Sequence, residues 1–353
     1  FDPTDYGFIL VSLLYPGRTD KQSGITSEGE NDYGGSDSRQ AFRDVILFAL
    51  GEKEDVAGAF LNELVDSEVL HDNVGIYAFS HPGIMATNVM ANFSEELSGV
   101  AYFVGRENPT VDAISSLELG YYADNGDMIT NNAYSYPENY SSEDLVMSYD
   151  NVRWAMKYER PYFDENENEI YDDLEYLLPS FGPSMYGDRY YSVELLEGLA
   201  KNESSYTEYG IVGIPSVEEA REVWSVRESI SSYPSFDELA ETFHVMLVYG
   251  AKDHVQPTTD KPHVHQAYDG FTQAGIWTRL NPDESYIFSI GEKFIEGYQE
   301  LPANDEPDDW RTGLIFGHPE IGGGSTIYPM AAVIEMADRT YYDEWSEDLI
   351  EVL

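Results

Sequence analysis

Four stretches of this sequence are apolar without alternation: residues 7–15 (GFILVSLLY), 73–79 (NVGIYAF), 99–104 (GVAYFV) and 243–249 (FHVMLVY). A strand apolar at successive positions is one covered on both faces, the condition of a parallel sheet between helical layers. Helical spacing stands between these runs. Residues 38–50 place Ala41, Val45, Ile46 and Ala49 on one face and stop at Gly51, a C-cap signal. Residues 57–70 read as a second helix, and residues 82–93 as a third that begins with proline in its first turn. Later come a helix over 263–274, a strand over 276–280 and an amphipathic helix over 328–339. The expected fold class is α/β, a mostly parallel sheet flanked by helices.

The alternation breaks between residues 108 and 240, a Tyr-rich acidic stretch with short helical pieces at 192–200 and 216–231 and few signals of buried strands. The organisation predicted is a core built from 1–107 and 241–353, interrupted by a large insertion at 108–240 and a shorter one at about 284–313. No internal repeat is present.

Charge narrows the partners. The chain has 353 residues, with 66 Asp and Glu against 19 Lys and Arg, a net charge of −47. Total charged content is ordinary at 24%, and the 42% hydrophobic fraction is too high for a disordered acidic tail. An excess of this sign repels phosphate backbones and anionic bilayers, so nucleic-acid binding is disfavoured, while salt, divalent cations or acid suit the surface. The absence of cysteine excludes a disulfide framework, thiolate metal sites and a thiol nucleophile. No run approaches the ~18 apolar residues a membrane helix needs, so no membrane insertion is expected. No leader pattern is read, and an opening at Phe1 fits a processed product. Asn92, Asn139 and Asn202 stand in glycosylation tripeptides, which matter if the protein is exported.

The segment 73–86, NVGIYAFSHPGIMA, carries the strongest chemical signal. A hydrophobic strand runs into Ser80, with Ala78 two residues before it, Pro82-Gly83 just after, and a helix beginning at once. A serine on so sharp a strand-to-helix turn needs small neighbours and presents its hydroxyl over a helix N-terminus suited to an oxyanion. The alternative is that Ser80 simply N-caps the helix. In the second segment, 248–257, a buried strand ends at Gly250 and Asp253 follows, where an acid orienting a histidine would lie. The alternative is a turn residue or Asx cap. The two segments occur in the order Ser then Asp.

On these residues the sequence resembles the α/β-hydrolase superfamily, and within it the prolyl oligopeptidase-type and acyl-esterase branches. Residues 30–35 (ENDYGG) are similar to that family's acid-aromatic-Gly-Gly segment, and Ser80 and Asp253 fall on its nucleophile and acid positions. The resemblance covers about 7–104 and 243–339 and implies that 108–240 is a lid. It also implies a serine hydrolase cleaving an ester or peptide through an acyl-enzyme on Ser80. His318 would be the base, with His254, His263 and His265 as competitors, and His81 would supply an oxyanion N–H; no cofactor is required. The sequence departs from the family at Pro82, where a glycine is usual, and at residues 281–283, where no histidine follows the last strand. The family's first strands would precede Phe1, so a companion segment or chain supplying them, or a truncated fold, is expected. A homo-oligomer is compatible with this reading.

Three further patterns call for metal or phosphate chemistry. Asp164, Asn166, Asn168, Asp172 and Glu175 stand at positions 1, 3, 5, 9 and 12 of a calcium-type loop, although Glu169 replaces the usual glycine and the apolar residue comes one place early. The alternative is an acidic turn joining strands at 161–163 and 169–171. His263 and His265 could form a metal pair on a strand, but on a helix they diverge, which favours a structural or solvent-facing role. Residues 322–325 (GGGS) lack the lysine of a phosphate loop and read as a flexible connection. Two functions remain open from sequence. One is a serine hydrolase, extracellular or at the cell surface and adapted to salt or acid. The other is an inactive α/β-hydrolase-fold protein acting as an extracellular surface-layer or filament component.

Overall fold

The computed structural model describes residues 6–21, 23–111, 116–123, 125, 127–135, 145–178, 191–202, 216–250, 253, 255–256, 258, 260–294 and 327–346. Its centre is a four-stranded parallel sheet in the order Val74–Phe79, Val100–Arg106, His244–Val248, Trp277–Leu280. The register sets Ala78 beside Gly105 and Gly105 beside Leu247, so the strand ends stay level across the sheet. Parallel neighbours need crossovers, and helices supply them: Pro82–Asn92 follows the first strand and Pro262–Gln273 the third.

The third strand shows why its sequence does not alternate. Val245 and Leu247 pack into a core shared with the helices Ser36–Ala49, Pro82–Asn92 and Pro262–Gln273. Met246 and Val248 face the other way, onto Ala332 and Met336 of the last helix, Ile327–Tyr342. The result is a helix–sheet–helix sandwich, the α/β architecture expected.

Several expectations are corrected. Residues 7–15 form no strand: Ile9 and Leu10 are exposed, and no ladder joins this run to the sheet. An apolar run becomes a strand only by pairing, and among the described residues no strand lies alongside this one. Residues 57–70 hold a single helical turn, Leu61–Leu64. The first strand is covered on one face only, through Ile76 and Ala78, while Tyr77 and Phe79 are exposed on the other. The shorter insertion opens with a helix, Glu284–Phe294, and the rest of it lies outside the described residues.

The large insertion holds more strand than its sequence signals. Short antiparallel ladders join Gly120–Tyr122 to Met128–Thr130, Tyr134–Ser135 to Val146–Met147, Val152–Ala155 to Arg160–Phe163, and Arg160–Phe163 to Tyr176–Leu177. Together with the helices Val193–Asn202 and Val217–Trp224 they enclose a core of their own around Trp154, Phe163, Leu195, Leu199 and Trp224. Both ends of the insertion meet at one stem: Val111 bridges Glu228, and Ser229 N–H donates to the Thr110 carbonyl at 2.8 Å. Asn88 of the Pro82–Asn92 helix grips the stem by donating to the Glu228 carbonyl at 2.9 Å.

The last helix is anchored by a fully buried ion pair. Glu335 Oε1 accepts from Arg339 Nε at 2.9 Å and from Arg279 Nη1 at 3.2 Å, and Oε2 accepts the Asp283 N–H at 2.6 Å. Arg339 also donates to the carbonyls of Glu344 and Ser346. Removing one member of such a cluster strands the opposite charge in the interior. Glu335→Ala is therefore expected to lower unfolding free energy by about 3–5 kcal/mol in urea titration, and Glu335→Gln by less. A loss below about 1 kcal/mol would show that water compensates the two arginines.

Candidate active site

Ser80 occupies a strained turn. The Val74–Phe79 strand ends one residue before it, and Ser80 takes φ 64°, a left-handed conformation that costs a non-glycine residue about 1–2 kcal/mol. The surroundings over-determine that conformation. Ser80 N–H still reaches across to the Arg106 carbonyl at 2.8 Å, and the Ser80 carbonyl accepts the Gly83 N–H at 2.9 Å. Asn108 Nδ2 donates to the carbonyls of Ser80 at 2.6 Å, Arg106 at 3.0 Å and Ala78 at 3.3 Å, tying both arms of the turn to the next strand. The close approach falls at Gly83, where a Cβ would stand 2.2 Å from Asn108 Cγ. Pro82 sits in the first turn of the helix, where its missing N–H costs nothing. His81 already has helical backbone angles and makes no side-chain cap bond, and Ser80 takes the left-handed conformation in place of the extended one usual for a capping serine. The His81 imidazole is held neutral, its pKa well below the ordinary value through burial and the nearby Arg227 charge.

Other left-handed residues gather at the same carboxyl edge: Glu107 follows the second strand with φ 45°, Lys261 precedes the Pro262–Gln273 helix with φ 48°, and Asn281 follows the fourth strand with φ 60°. Asn281 donates its N–H to the Leu247 carbonyl and accepts the Tyr249 N–H on Oδ1 at 3.0 Å. Backbone strain concentrated at the carboxyl ends of parallel strands marks the usual place for a site in such a sheet.

Asp253 lies beyond the third strand, two strand spacings, or about 10 Å, across the sheet from the Ser80 strand. It is fully buried. Oδ1 accepts the N–H groups of Val255 at 2.7 Å and Gln256 at 3.1 Å, and Oδ2 accepts Gln256 Nε2 at 3.0 Å. Gln256 Oε1 in turn accepts the N–H groups of His263 and Val264, which fixes the Asp253 loop to the following helix. Lys261 is buried beside it, donates to the Gln256 carbonyl at 2.6 Å and is kept below its ordinary pKa by burial, against the opposing pull of Asp253 and Glu107. A buried, hydrogen-bonded carboxylate is what orienting a histidine requires.

The histidines separate clearly. His318 and His254 lie outside the described residues, as do Asn139 and residues 322–325. His263 is buried, and its Nδ1 accepts the Thr110 N–H at 3.0 Å, so it serves the stem of the insertion. His265 is buried on the same helix, which sets aside the solvent-facing reading of this pair and leaves the structural one. Among the described residues no group of three or more His, Asp or Glu side chains is arranged to hold a metal. The side-chain amide of Asn92 donates to the Asn88 carbonyl, and that of Asn202 to the carbonyls of Tyr149, Asp150 and Val152, duties a glycan on the same nitrogen would disturb. A cavity of about 20 Å³ behind the turn, lined by Gly83, Thr87, Gly105, Thr110 and Phe271, has room for one water and none for a substrate.

Sequence reasoning missed Asn108, Gln256, Lys261 and Tyr122. Asn108 follows a strand end by two residues and Asn281 precedes a proline, local signals of backbone-binding side chains. Tyr122 had no signal. It sits on the Gly120–Tyr122 ladder of the insertion, yet its phenol pKa is raised by burial and by the charge of Asp253, which places it within electrostatic range of that carboxylate.

That ladder is seated by Glu118, which is fully buried. Its oxygens accept the Ser192 N–H at 2.7 Å, the Ser192 hydroxyl at 3.0 Å and the Tyr149 hydroxyl. Burial outweighs these donors and pushes its carboxyl from 4.5 up to about 7. A pKa raised on folding gives a contribution complete below about pH 4.5 and lost as pH rises through about 7. Glu118→Gln is expected to flatten the fall in stability between pH 5 and pH 8 by up to about 3 kcal/mol in urea unfolding; parallel pH profiles for the two proteins would contradict this. No family model, curated protein or solved structure matches this chain.

Proposed function

We propose that the chain is a serine hydrolase that cleaves an ester or peptide bond through an acyl-enzyme on Ser80. The observation that carries this reading is the left-handed backbone of Ser80, a non-glycine residue held between a parallel strand and a helix at the carboxyl edge of the sheet. A serine that only capped the helix would take extended backbone and would not need the three-way grip of Asn108.

In this reading Ser80 Oγ attacks the substrate carbonyl carbon and passes its proton to a histidine, for which His318 is the candidate. Asp253 fixes that imidazole's tautomer and stabilises the imidazolium. The protonated imidazole then gives the proton to the departing alcohol or amine, and water releases the acyl group by the reverse sequence. The His81 N–H, first in the helix, is one oxyanion donor, a type of contact worth on the order of 2.7 to 4 kcal/mol in the transition state. The insertion supplies the lid through Tyr122, and its acidity favours neutral or cationic substrates over anionic ones. An exported location suits the acidic surface.

A fluorophosphonate probe tests the reading at low and high salt. Labelling is expected at Ser80 and absent in Ser80→Ala, and Asp253→Asn and His318→Ala are each expected to slow ester turnover by about 10⁴-fold. Folded wild-type protein that stays unlabelled at every salt concentration would overturn the enzyme and leave the same fold in a structural role.

A further inference from the structure

We infer that residues 164–175 form a calcium site, closed by a strand hairpin instead of the helix pair that usually flanks such a loop. Tyr162 pairs with Leu177 and Phe163 with Tyr176, so the hairpin ladder ends where Asp164 and Glu175, the first and twelfth loop residues, stand opposite each other. The alternative reading of an acidic connection between two strands is met in part: residues 169–171 form no strand, and the returning strand is Tyr176–Leu177.

Between these ends the backbone is already wound for an ion. Asp164 accepts the N–H groups of Asn168 at 3.1 Å and Glu169 at 2.9 Å, Asn166 Oδ1 accepts that of Asn168 at 3.1 Å, and Asn168 Oδ1 accepts that of Ile170 at 2.7 Å. Glu169, at the sixth position, takes φ 62°, the conformation for which a glycine is usual there. A wound acidic loop is not by itself a binding site. The observation that points to a ligand is Glu175. Its Oε2 accepts the Asp172 N–H at 3.0 Å, while Oε1 is buried, has no N–H or hydroxyl donor among the described residues and belongs to a carboxylate within hydrogen-bond reach of that of Asp164. The two residues are only 8% and 1% exposed, and two ionised carboxylates are both acceptors, so the pair is satisfied only by a shared proton or by a cation. Arg153 Nε lies 3.7 Å from Asp164 Oδ2, on the side turned to the Glu169 amide, and among the described residues no cation is paired with Glu175.

Calcium supplies what this arrangement lacks. Asp164, Asn166, Asn168, the Ile170 carbonyl, Asp172 and a bidentate Glu175 give oxygens at positions 1, 3, 5, 7, 9 and 12, a number and flexibility that suit calcium over the smaller, strictly octahedral magnesium. Asn166 Nδ2 donates to Asp172 Oδ2 at 2.8 Å. Binding exchanges this bond for coordination. For that reason the carboxylates do not yet converge on one point.

The full chain, stripped with a chelator, is titrated with Tb³⁺, excited through the neighbouring Tyr171 and Tyr176, and then with Ca²⁺ or Mg²⁺ as competitors. One tyrosine-sensitised Tb³⁺ site is expected, displaced by Ca²⁺ at least tenfold more readily than by Mg²⁺, together with a Ca²⁺-dependent rise in Tm. Glu175→Gln and the exposed-side-chain variant Asn168→Ala should each weaken the site at least tenfold, the second guarding against loss of fold in the first. A surface of this charge also collects cations loosely. If both variants bind Tb³⁺ and respond to Ca²⁺ as the wild type does, or if the wild type shows no sensitised site, the inference is overturned. Ser80→Ala should bind calcium normally, so this outcome is independent of the proposed catalysis.

Discussion

A parallel sheet whose inner strands are apolar on both sides must be covered on both sides, and the rest of this molecule follows from that need. His244–Val248 sends Val245 and Leu247 to one helical layer and Met246 and Val248 to the other. Each parallel neighbour requires a crossover, so the four strands of the sheet end at the same edge and the crossover helices Pro82–Asn92 and Pro262–Gln273 start there. Chain reversals crowd together at that edge, and the left-handed residues Ser80, Glu107, Lys261 and Asn281 are the local consequence. The candidate site is where the topology concentrates its backbone strain, and the insertion stem at residues 110–111 and 228–229 leaves from beside it.

Strain at Ser80 persists because several independent contacts would be lost together if it relaxed. The Ser80 N–H bond to Arg106 extends the sheet ladder past its last regular pair, and Asn108 binds carbonyls on both sides of the turn with a single amide nitrogen. At about 1 kcal/mol net for each hydrogen bond, these contacts together match or exceed the conformational cost of one left-handed residue. Gly83 completes the arrangement by letting the Asn108 side chain lie against the first turn of the helix. The crowding between the helix and the next strand thus falls at Gly83, one position after Pro82.

The parts of the fold legible in the sequence are those in which a residue's neighbours in space follow from its neighbours in the chain. The helices Ser36–Ala49, Pro82–Asn92, Pro262–Gln273 and Ile327–Tyr342 and the strands Val100–Arg106, His244–Val248 and Trp277–Leu280 announce themselves by period and by apolar runs. The run at 7–15 looks the same, yet pairing decides a strand, and pairing is not local. The short ladders of the insertion were hidden for a related reason: two to four residues with one wet face leave little alternation to detect. Ser80 and Asp253 were legible because each sits at a fixed offset from a strand end. Tyr122 was not, since it comes to Asp253 through the packing of a different unit.

The net charge of −47 makes the placement of the basic residues informative. Lys and Arg are seldom fully buried unless paired, yet Arg227, Lys261 and Arg339 are, in a chain that has only 19 basic residues for 66 acids. Interior acids explain two of them: Arg339 neutralises Glu335, and Lys261 lies in the field of Asp253. Each remaining buried carboxylate has its own remedy. Asp164 takes two backbone N–H groups and stands near Arg153, whereas Glu118 has no cation and responds by holding its proton to about pH 7. Glu175 is the exception, with one oxygen satisfied and the other set against Asp164. In a protein this acidic, surface carboxylates are solvated and cost little singly, while a buried oxygen without a donor incurs the full desolvation penalty. The loop at 164–175 is therefore the place where the excess of acid reaches the interior, and the inferred calcium site rests on that pairing of buried carboxylates.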